Sequence, residues 1–589
     1  PLFNSFKEVF MKILRTYIKE NIGILSLGTI FLTLNTFATL AIPFQISNII
    51  NLGIMKKDID MVYSTSIKMV IILIIGTATG IIANHFVALF ATNFTKKNRK
   101  LLIRNIESLT VDQVSDLGVA SLVTRMSNDN SNAQRLIVAF FQMILPSPIM
   151  AIISIFMTVK LSPTLALIPL FTILIFAFAI VLTLFKSLPY ILKIQKKLDR
   201  MTLVLRERFI GAKIIRAFDN SKKERDKFNN IAQEYTDNYI IINKKFALLS
   251  PMAFSLMSVV ITLVIFFGAM KVLNNTLEIG SITAIVEYSL TTIAALIMSS
   301  MVLVQMPKAV VSIERVEEVL NIVSEIKDKE ELKDNSYYED ILKQNPISLT
   351  FDNVCFRYKG AEKQILKHIS FSIKAGERFA IVGATGSGKS TIAKVLLRLN
   401  DIESGRILIN GVNTLDLPLN CLRNQISYTP QKAYIFSGKI KDNFRFTNKD
   451  MTDEEMIKIA KIAQSYDFID SLPDKFDSFV AQGGINFSGG QKQRLSIARA
   501  LSKDANIYLF DDSFSALDYA TDAKLRKELK TFLKDKITII IAQRLNTIAD
   551  ADKIIVLKDS EITGMGTHKE LLESNQEYIE LAKSQGILE

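Results

Sequence analysis

Eight consecutive residues carry the clearest chemistry in this chain. Gly383-Ala384-Thr385-Gly386-Ser387-Gly388-Lys389-Ser390 fits the pattern GxxxxGK[ST], and Thr391 follows directly. Glycines let such a loop wrap around phosphate oxygens, so that backbone N–H groups and a helix N-terminus face the anion. Lys389 then reaches the β- and γ-phosphates, and the Ser390 hydroxyl can ligate Mg²⁺. The surroundings suit that chemistry. An apolar strand-like run, 379–382, leads into the loop, and a helix-prone run, 391–399, leaves it. Further along, Ile507-Tyr508-Leu509-Phe510-Asp511 reads as a buried strand ending in a carboxylate able to hold the Mg²⁺ shell.

A second phosphate cradle follows. Ser488, Gly489, Gly490 and Gln491, preceded by Asn486 and Phe487, head a helical run at 492–501. Their hydroxyl and exposed amides again suit an anion at a helix N-terminus. One nucleotide does not need two such cradles on one chain. The duplication implies a second copy of the fold facing this one, with nucleotides sandwiched between.

These motifs need a sheet to position them. Short β-rich runs at 348–358, 378–383, 507–511 and 538–542 alternate with helical runs, the pattern of an α/β nucleotide-binding domain. The residues upstream are of another kind. Six windows (21–55, 69–95, 136–159, 161–185, 246–270 and 288–307) contain no Asp, Glu, Lys or Arg. A helix crosses a bilayer core with ~20 apolar residues, so each window is long enough to span. Of the basic residues up to Arg315, 28 fall on one side of these spans and five on the other (Lys56, Lys57, Lys68, Lys160 and Lys271). The positive-inside rule puts both termini and the two long loops in the cytoplasm. Residues 2–20 read either as a basic amphipathic helix on the inner surface or as a plain tail. Glu287 lies within the sixth apolar stretch, where a carboxylate marks either a functional site or a wet cavity near the outer surface. Apolar interruptions at 111–121 and 211–218 in the long loops are candidate contact points for another domain.

Composition narrows the classes. The whole net charge of +13 resides in residues 1–322, and the remainder is balanced, so the excess sets membrane topology and leaves nucleic-acid binding without support. Two cysteines and three scattered histidines build neither a disulfide framework nor a zinc site. Residues 1–322 are therefore expected to be an all-α transmembrane domain of six spans. Residues 323–345 are expected to be an acidic linker, and 346–589 a soluble α/β P-loop domain.

Taken in order, these motifs resemble those of an ABC transporter half of the exporter type, over nearly the full length of the chain. That resemblance implies ATP and Mg²⁺ as ligands, with Tyr358 stacking on adenine. Gln431, in Tyr428-Thr429-Pro430-Gln431, would sense Mg²⁺ and the cytoplasmic loops. Ser488–Gln491 would be the signature that acts on the partner's nucleotide. Asp518, in Ser515-Ala516-Leu517-Asp518, would belong to the loop linking the two sites. The interruptions at 111–117 and 211–218 would be coupling helices.

Two departures from the family pattern fall on one site. The residue after Asp511, usually the glutamate that polarises the attacking water, is Asp512, one methylene shorter. The switch histidine after the strand 538–542 is Gln543, which hydrogen-bonds but cannot become a cation. Misplacing a catalytic group by ~1 Å costs about 10²-fold, so this site is expected to bind ATP and turn it over slowly. The signature carries Phe487 where the family usually has Leu, and Val480-Ala481-Gln482-Gly483-Gly484 departs from V-G-E-x-G. The expected partner is a second half-transporter with intact Glu and His, forming a heterodimer in the cell membrane. The expected activity is ATP-driven export of small amphipathic compounds, multidrug in type. Lipid or peptide export is the alternative, and an ATP-gated regulatory or channel-like subunit is the reading of another class.

Overall fold

The computed structural model describes residues 17–329, 335–342 and 347–588. The chain forms two compact units: one of residues to Ser108 plus Val114–Val323, the other of Leu109–Gln113 plus Ser324–Glu589. Most of the expected surface helix at 2–20 lies outside the described residues, as do 330–334 and 343–345 of the expected linker. Within that linker Asn335–Leu342 is helical, because Tyr338 and Leu342, four residues apart, bury one face in the core of the second unit.

The first unit is helical throughout. Among the described residues six helical segments are long and apolar enough to cross a membrane: Ile22–Ile54, Ile59–Ser108, Val119–Leu161, Leu167–Ser187, Ser221–Leu273 and Ile279–Leu303. Each contains or overlaps one of the charge-free windows. Several helices run well beyond a bilayer. Helix α1, Ile59–Ser108, has 50 residues and is about 75 Å long, against ~30 Å of hydrocarbon. The long loops are therefore helical extensions of the spans, as the apolar spacing around Leu198, Met201 and Leu205 requires. Two short helices, Val111–Leu117 and Ala212–Ala217, interrupt them at the apolar stretches read from the sequence.

Apolar surface does not drive helices together in lipid, so close approach and internal hydrogen bonds do. Gly80 packs where a Cβ would come within 2.9 Å of the Asn35 amide, and Asn35 Nδ2 donates to Gly76 O at 2.7 Å. At the far end of the first span Asn51 Oδ1 accepts from the Gly280 amide, at the start of the sixth span, at 2.6 Å. The sixth span belongs to helix α2, Ile279–Asn321, on which Glu287 is exposed.

Two larger sheets, beside a two-stranded ribbon of Gly438–Lys439 and Phe479–Val480, frame the second unit. Strands β1 (Ser348–Phe356), β2 (Leu366–Lys374), β4 (Ser404–Ile409) and β5 (Val412–Asn413) form an antiparallel sheet in the order β2-β1-β4-β5. Only the first of these was legible as a strand. The six-stranded sheet consists of β3 (Arg378–Gly383), β6 (Ile426–Thr429), β7 (Ile507–Asp511), β8 (Ile537–Ile541), β9 (Lys553–Lys558) and β10 (Glu561–Gly566). Its order is β10-β9-β3-β8-β7-β6, parallel except at the β10 edge. Strands β7 and β8 are buried at every residue, which explains their unbroken apolar runs.

Candidate functional site

The register of the parallel sheet gathers the sequence-predicted residues at one edge. Ile541 pairs with both Ile381 and Asp511, and Phe510 pairs with Thr429. The phosphate loop after β3, Asp511 and Asp512 at the end of β7, Gln543 just past β8 and Gln431 just past β6 therefore all emerge at the carboxyl ends of neighbouring strands. Open α/β sheets place their ligands there.

The loop is held open by glycine. Gly388 has φ +100°, and a Cβ there would come within 2.6 Å of Ile365 O. Helix α3, Lys389–Leu396, starts immediately after it, so the positive end of its dipole faces the loop. The helix ends before the expected Leu399 because Arg398 adopts φ +49°, which a continuing helix cannot accommodate. Lys389 is buried beneath the loop, its ammonium donating to Gly383 O (2.7 Å) and Ala384 O (2.8 Å). Burial lowers its pKa, against the attraction of Asp512 and Asp511.

Ser390 and Asp511 meet across 121 positions of sequence: Ser390 Oγ donates to Asp511 Oδ1 at 2.9 Å. The other carboxylate oxygen accepts from Tyr428 Oη at 3.3 Å. Burial raises the Asp511 pKa although both hydroxyls oppose it, and burial together with Asp511 raises that of Tyr428. A buried carboxylate facing a hydroxyl and the side chain of Gln431 nearby is a hard oxygen donor set, which suits Mg²⁺. The sequence alone assigns Tyr428 no role. Its signal is placement: it lies on the strand beside β7, one residue from its end. Tyr428→Phe is expected to weaken Mg²⁺-dependent ATP binding about tenfold while leaving Mg²⁺-free binding unchanged, measured by titration with a fluorescent ATP analogue.

Asp512 is held differently. Its backbone adopts φ +47°, uncommon for a side chain other than Gly, Asn or Asp, and its amide donates to Ile541 O at 2.8 Å. Gln431 Nε2 donates to Asp512 Oδ2 at 3.1 Å. Burial raises the carboxyl pKa, opposed by that hydrogen bond, by Lys389 and by the Gln543 backbone amide. The Gln543 side chain is exposed, while its carbonyl accepts from Gln585 Nε2 at 2.8 Å.

Tyr358 is half-buried, with its hydroxyl 3.3 Å from Thr391 Oγ1 and 3.1 Å from Lys394 Nζ. The Lys394 ammonium also lies 5.1 Å from the ring centroid. Lys394, three residues after Thr391 on α3, went unremarked in the sequence. At the second cradle, helix α4, Gly489–Leu501, begins three residues earlier than its helical run suggested. Ser488 and Gln491 form a capping box, with Ser488 Oγ accepting from the Gln491 amide (3.3 Å) and Gln491 Oε1 accepting from the Ser488 amide (2.9 Å). Phe487 is buried and edge-on to Phe468. Asp518 caps helix α5, Tyr519–Phe532, by accepting from the Thr521 amide at 2.9 Å, which lowers its pKa.

Comparisons with known proteins identify the family. Residues 366–515 match the family described as ABC transporter, and residues 25–296 match the ABC transporter transmembrane region. The ABC transporter ATP-binding protein YfiB of Bacillus subtilis (strain 168) is 32% identical over 543 residues, 92% of this chain and 93% of the relative. The chain belongs to the ABC transporter family. This ABC half-transporter is thus a multi-pass membrane protein with a fused ATP-binding domain, and its ATPase is coupled to transport. It is also 27% identical over 588 residues to the ATP-dependent lipid A-core flippase of Mannheimia succiniciproducens, covering 99% of this chain and 98% of that one. Its fold is that of a bacterial Atm1-family ABC exporter solved with ATP bound, with a TM-score of 0.79, 23% identity and coverage of 97% and 98%.

Proposed function

We propose that this chain is one half of an ATP-driven exporter of amphipathic or lipophilic compounds, paired with a different half-transporter that performs most of the hydrolysis. The observation that carries this reading is the contrast at the end of β7. Ser390 and Asp511 are joined as a Mg²⁺ site requires, whereas the adjacent acid, Asp512, is short and tied to Gln431. Drift would have no reason to preserve the first pair while altering only the hydrolytic residues Asp512 and Gln543.

In this reading Tyr358 stacks on adenine, residues 383–391 hold the phosphates, and Ser390, Asp511 and Gln431 hold Mg²⁺, which neutralises phosphate charge when bound. Lys389 exchanges the carbonyls of Gly383 and Ala384 for phosphate oxygens. Ser488–Gln491 completes the partner's site, and Asp518 links the two sites. ATP draws the two nucleotide-binding domains together, and the short helices Val111–Leu117 and Ala212–Ala217 transmit closure to the spans. Both termini and the ATP-binding domain are cytoplasmic, as the distribution of 28 basic residues against five supports. Multidrug transport fits spans rich in Phe, Met, Ile and Leu. Lipid export is the second reading, favoured by the similarity to a lipid A-core flippase.

Inside-out vesicles carrying both chains are expected to accumulate an amphipathic dye only with hydrolysable ATP. Vesicles that bind ATP but never accumulate substrate would instead mark a nucleotide-gated regulatory subunit.

A further inference from the structure

Two cations of the first unit face one cavity. Arg135 ends the charged stretch before the third apolar window, and Lys308 immediately follows the sixth, so both stand at the same polar–apolar boundary. They line a cavity of about 650 Å³ together with Asn132 and Gln142 and, on its apolar side, Met143 and Val302. Among the described residues neither cation has a carboxylate within 4 Å; the nearby ion pairs are Arg125–Glu318 and Arg315–Asp199. Glu287 lies 21 residues from Lys308 on the same helix, about 30 Å away along its axis, too far to neutralise it.

Basic residues at such boundaries ordinarily serve topology, with long side chains reaching out to the interface. Arg135, though exposed, is instead tethered to the cavity wall. Its guanidinium donates to Asn132 Oδ1 at 2.5 Å, and Asn132 Nδ2 donates to Ser312 Oγ on α2 at 2.9 Å. Gln142 Nε2 donates to Asn84 Oδ1 at 2.9 Å, which fixes the next polar group of the wall on a third segment. The cavity thus combines two positive charges without acidic partners, anchored amides and an apolar flank.

We propose that this cavity receives the anionic head of an amphiphile, a phosphate or carboxylate, at Arg135 and Lys308, with its chain against Met143 and Val302. The proposal rests on reading the chain as an exporter, and it names the substrate class: an acidic membrane lipid or a soluble acidic amphiphile.

The chain contains no tryptophan, so Met143→Trp installs a single fluorescent reporter in the cavity wall. In phosphatidylcholine nanodiscs the full-length reporter chain is expected to respond saturably to dodecyl phosphate, and not to dodecyltrimethylammonium or to inorganic phosphate at the same concentration. Arg135→Gln and Lys308→Gln should each weaken that response about tenfold or more, the scale of one charge-assisted hydrogen bond. Calorimetric titration of the chain without the reporter should give the same ranking of head groups, and retained ATP binding shows that both variants are folded. Equal responses to the anionic and cationic amphiphiles, or unchanged affinity in both folded variants, overturns the proposal. With the site supported, competition from phosphatidylglycerol in the nanodisc identifies a membrane lipid as its source, and no competition a soluble amphiphile. Dye accumulation by the wild-type pair is the separate control. Accumulation without head-group selectivity removes the site alone, whereas selectivity without accumulation removes the export reading and leaves the site.

Discussion

Replacing Asp512 by Glu together with Gln543 by His raises hydrolysis at this chain's own nucleotide site by about 10²-fold, the scale expected when a catalytic group recovers ~1 Å of reach. The measurement is phosphate release from the assembled pair in which the partner's catalytic glutamate has been changed to Gln, so that only this site contributes. The structure shows why length matters here. Asp512 has little freedom to compensate, because its backbone is fixed at φ +47° by the Ile541 hydrogen bond and its carboxylate is held by Gln431. A glutamate at the same position is one methylene longer, so its carboxylate reaches beyond the contact that Asp512 makes with Gln431. The single change Gln543→His is expected to do little, since an imidazole has no attacking water to work with until a base has positioned one. A double variant no faster than wild type would mean that something other than side-chain length limits this site.

Replacing Lys389 by Met lowers ATP affinity by at least about 10²-fold, the cost expected if the buried ammonium gives two charge-assisted hydrogen bonds to phosphate in the proposed ATP-bound state. The same substitution should leave the nucleotide-free fold intact. Without nucleotide the ammonium is supported by two carbonyls, and burial disfavours its charge. In thermal unfolding the variant therefore melts at or above the wild type when no ATP is present. It fails to gain the stabilisation that ATP gives the wild type, about 2.7 kcal/mol at a concentration a hundred times Kd. A variant that unfolds early without ATP would make Lys389 a structural residue.

Much of the site was legible because contiguous segments encode it. The loop 383–390 must be glycine-rich to approach phosphate, and the strand 507–511 must be apolar because helices and neighbouring strands cover it. The six spans were equally legible, since hydrocarbon excludes charge over ~20 residues at a time. What escaped depends on register and on tertiary hydrogen bonds. Tyr428 becomes a partner of Asp511 only because β6 pairs with β7 so that Thr429 lies opposite Phe510. The antiparallel strands β2 and β4 carry polar residues on one face, so their apolar content did not separate them from loops. The start of α4 was misplaced by three residues because Gly489 and Gly490 are poor helix formers, and the Ser488–Gln491 capping box outweighs that. Arg135 and Lys308 were read only as topology charges. Their convergence on one cavity appears once the third and sixth spans are packed.

The central claim is a site that binds ATP and hydrolyses it poorly, and it is tested most directly by measuring both quantities on one sample. Equilibrium ATP binding and steady-state phosphate release are determined for this chain purified alone, and again with its candidate partner. Saturable binding with negligible turnover alone, and robust turnover on adding the partner that survives Asp512→Asn, is the predicted result. Robust turnover by the isolated chain, abolished by Asp512→Asn, would contradict it.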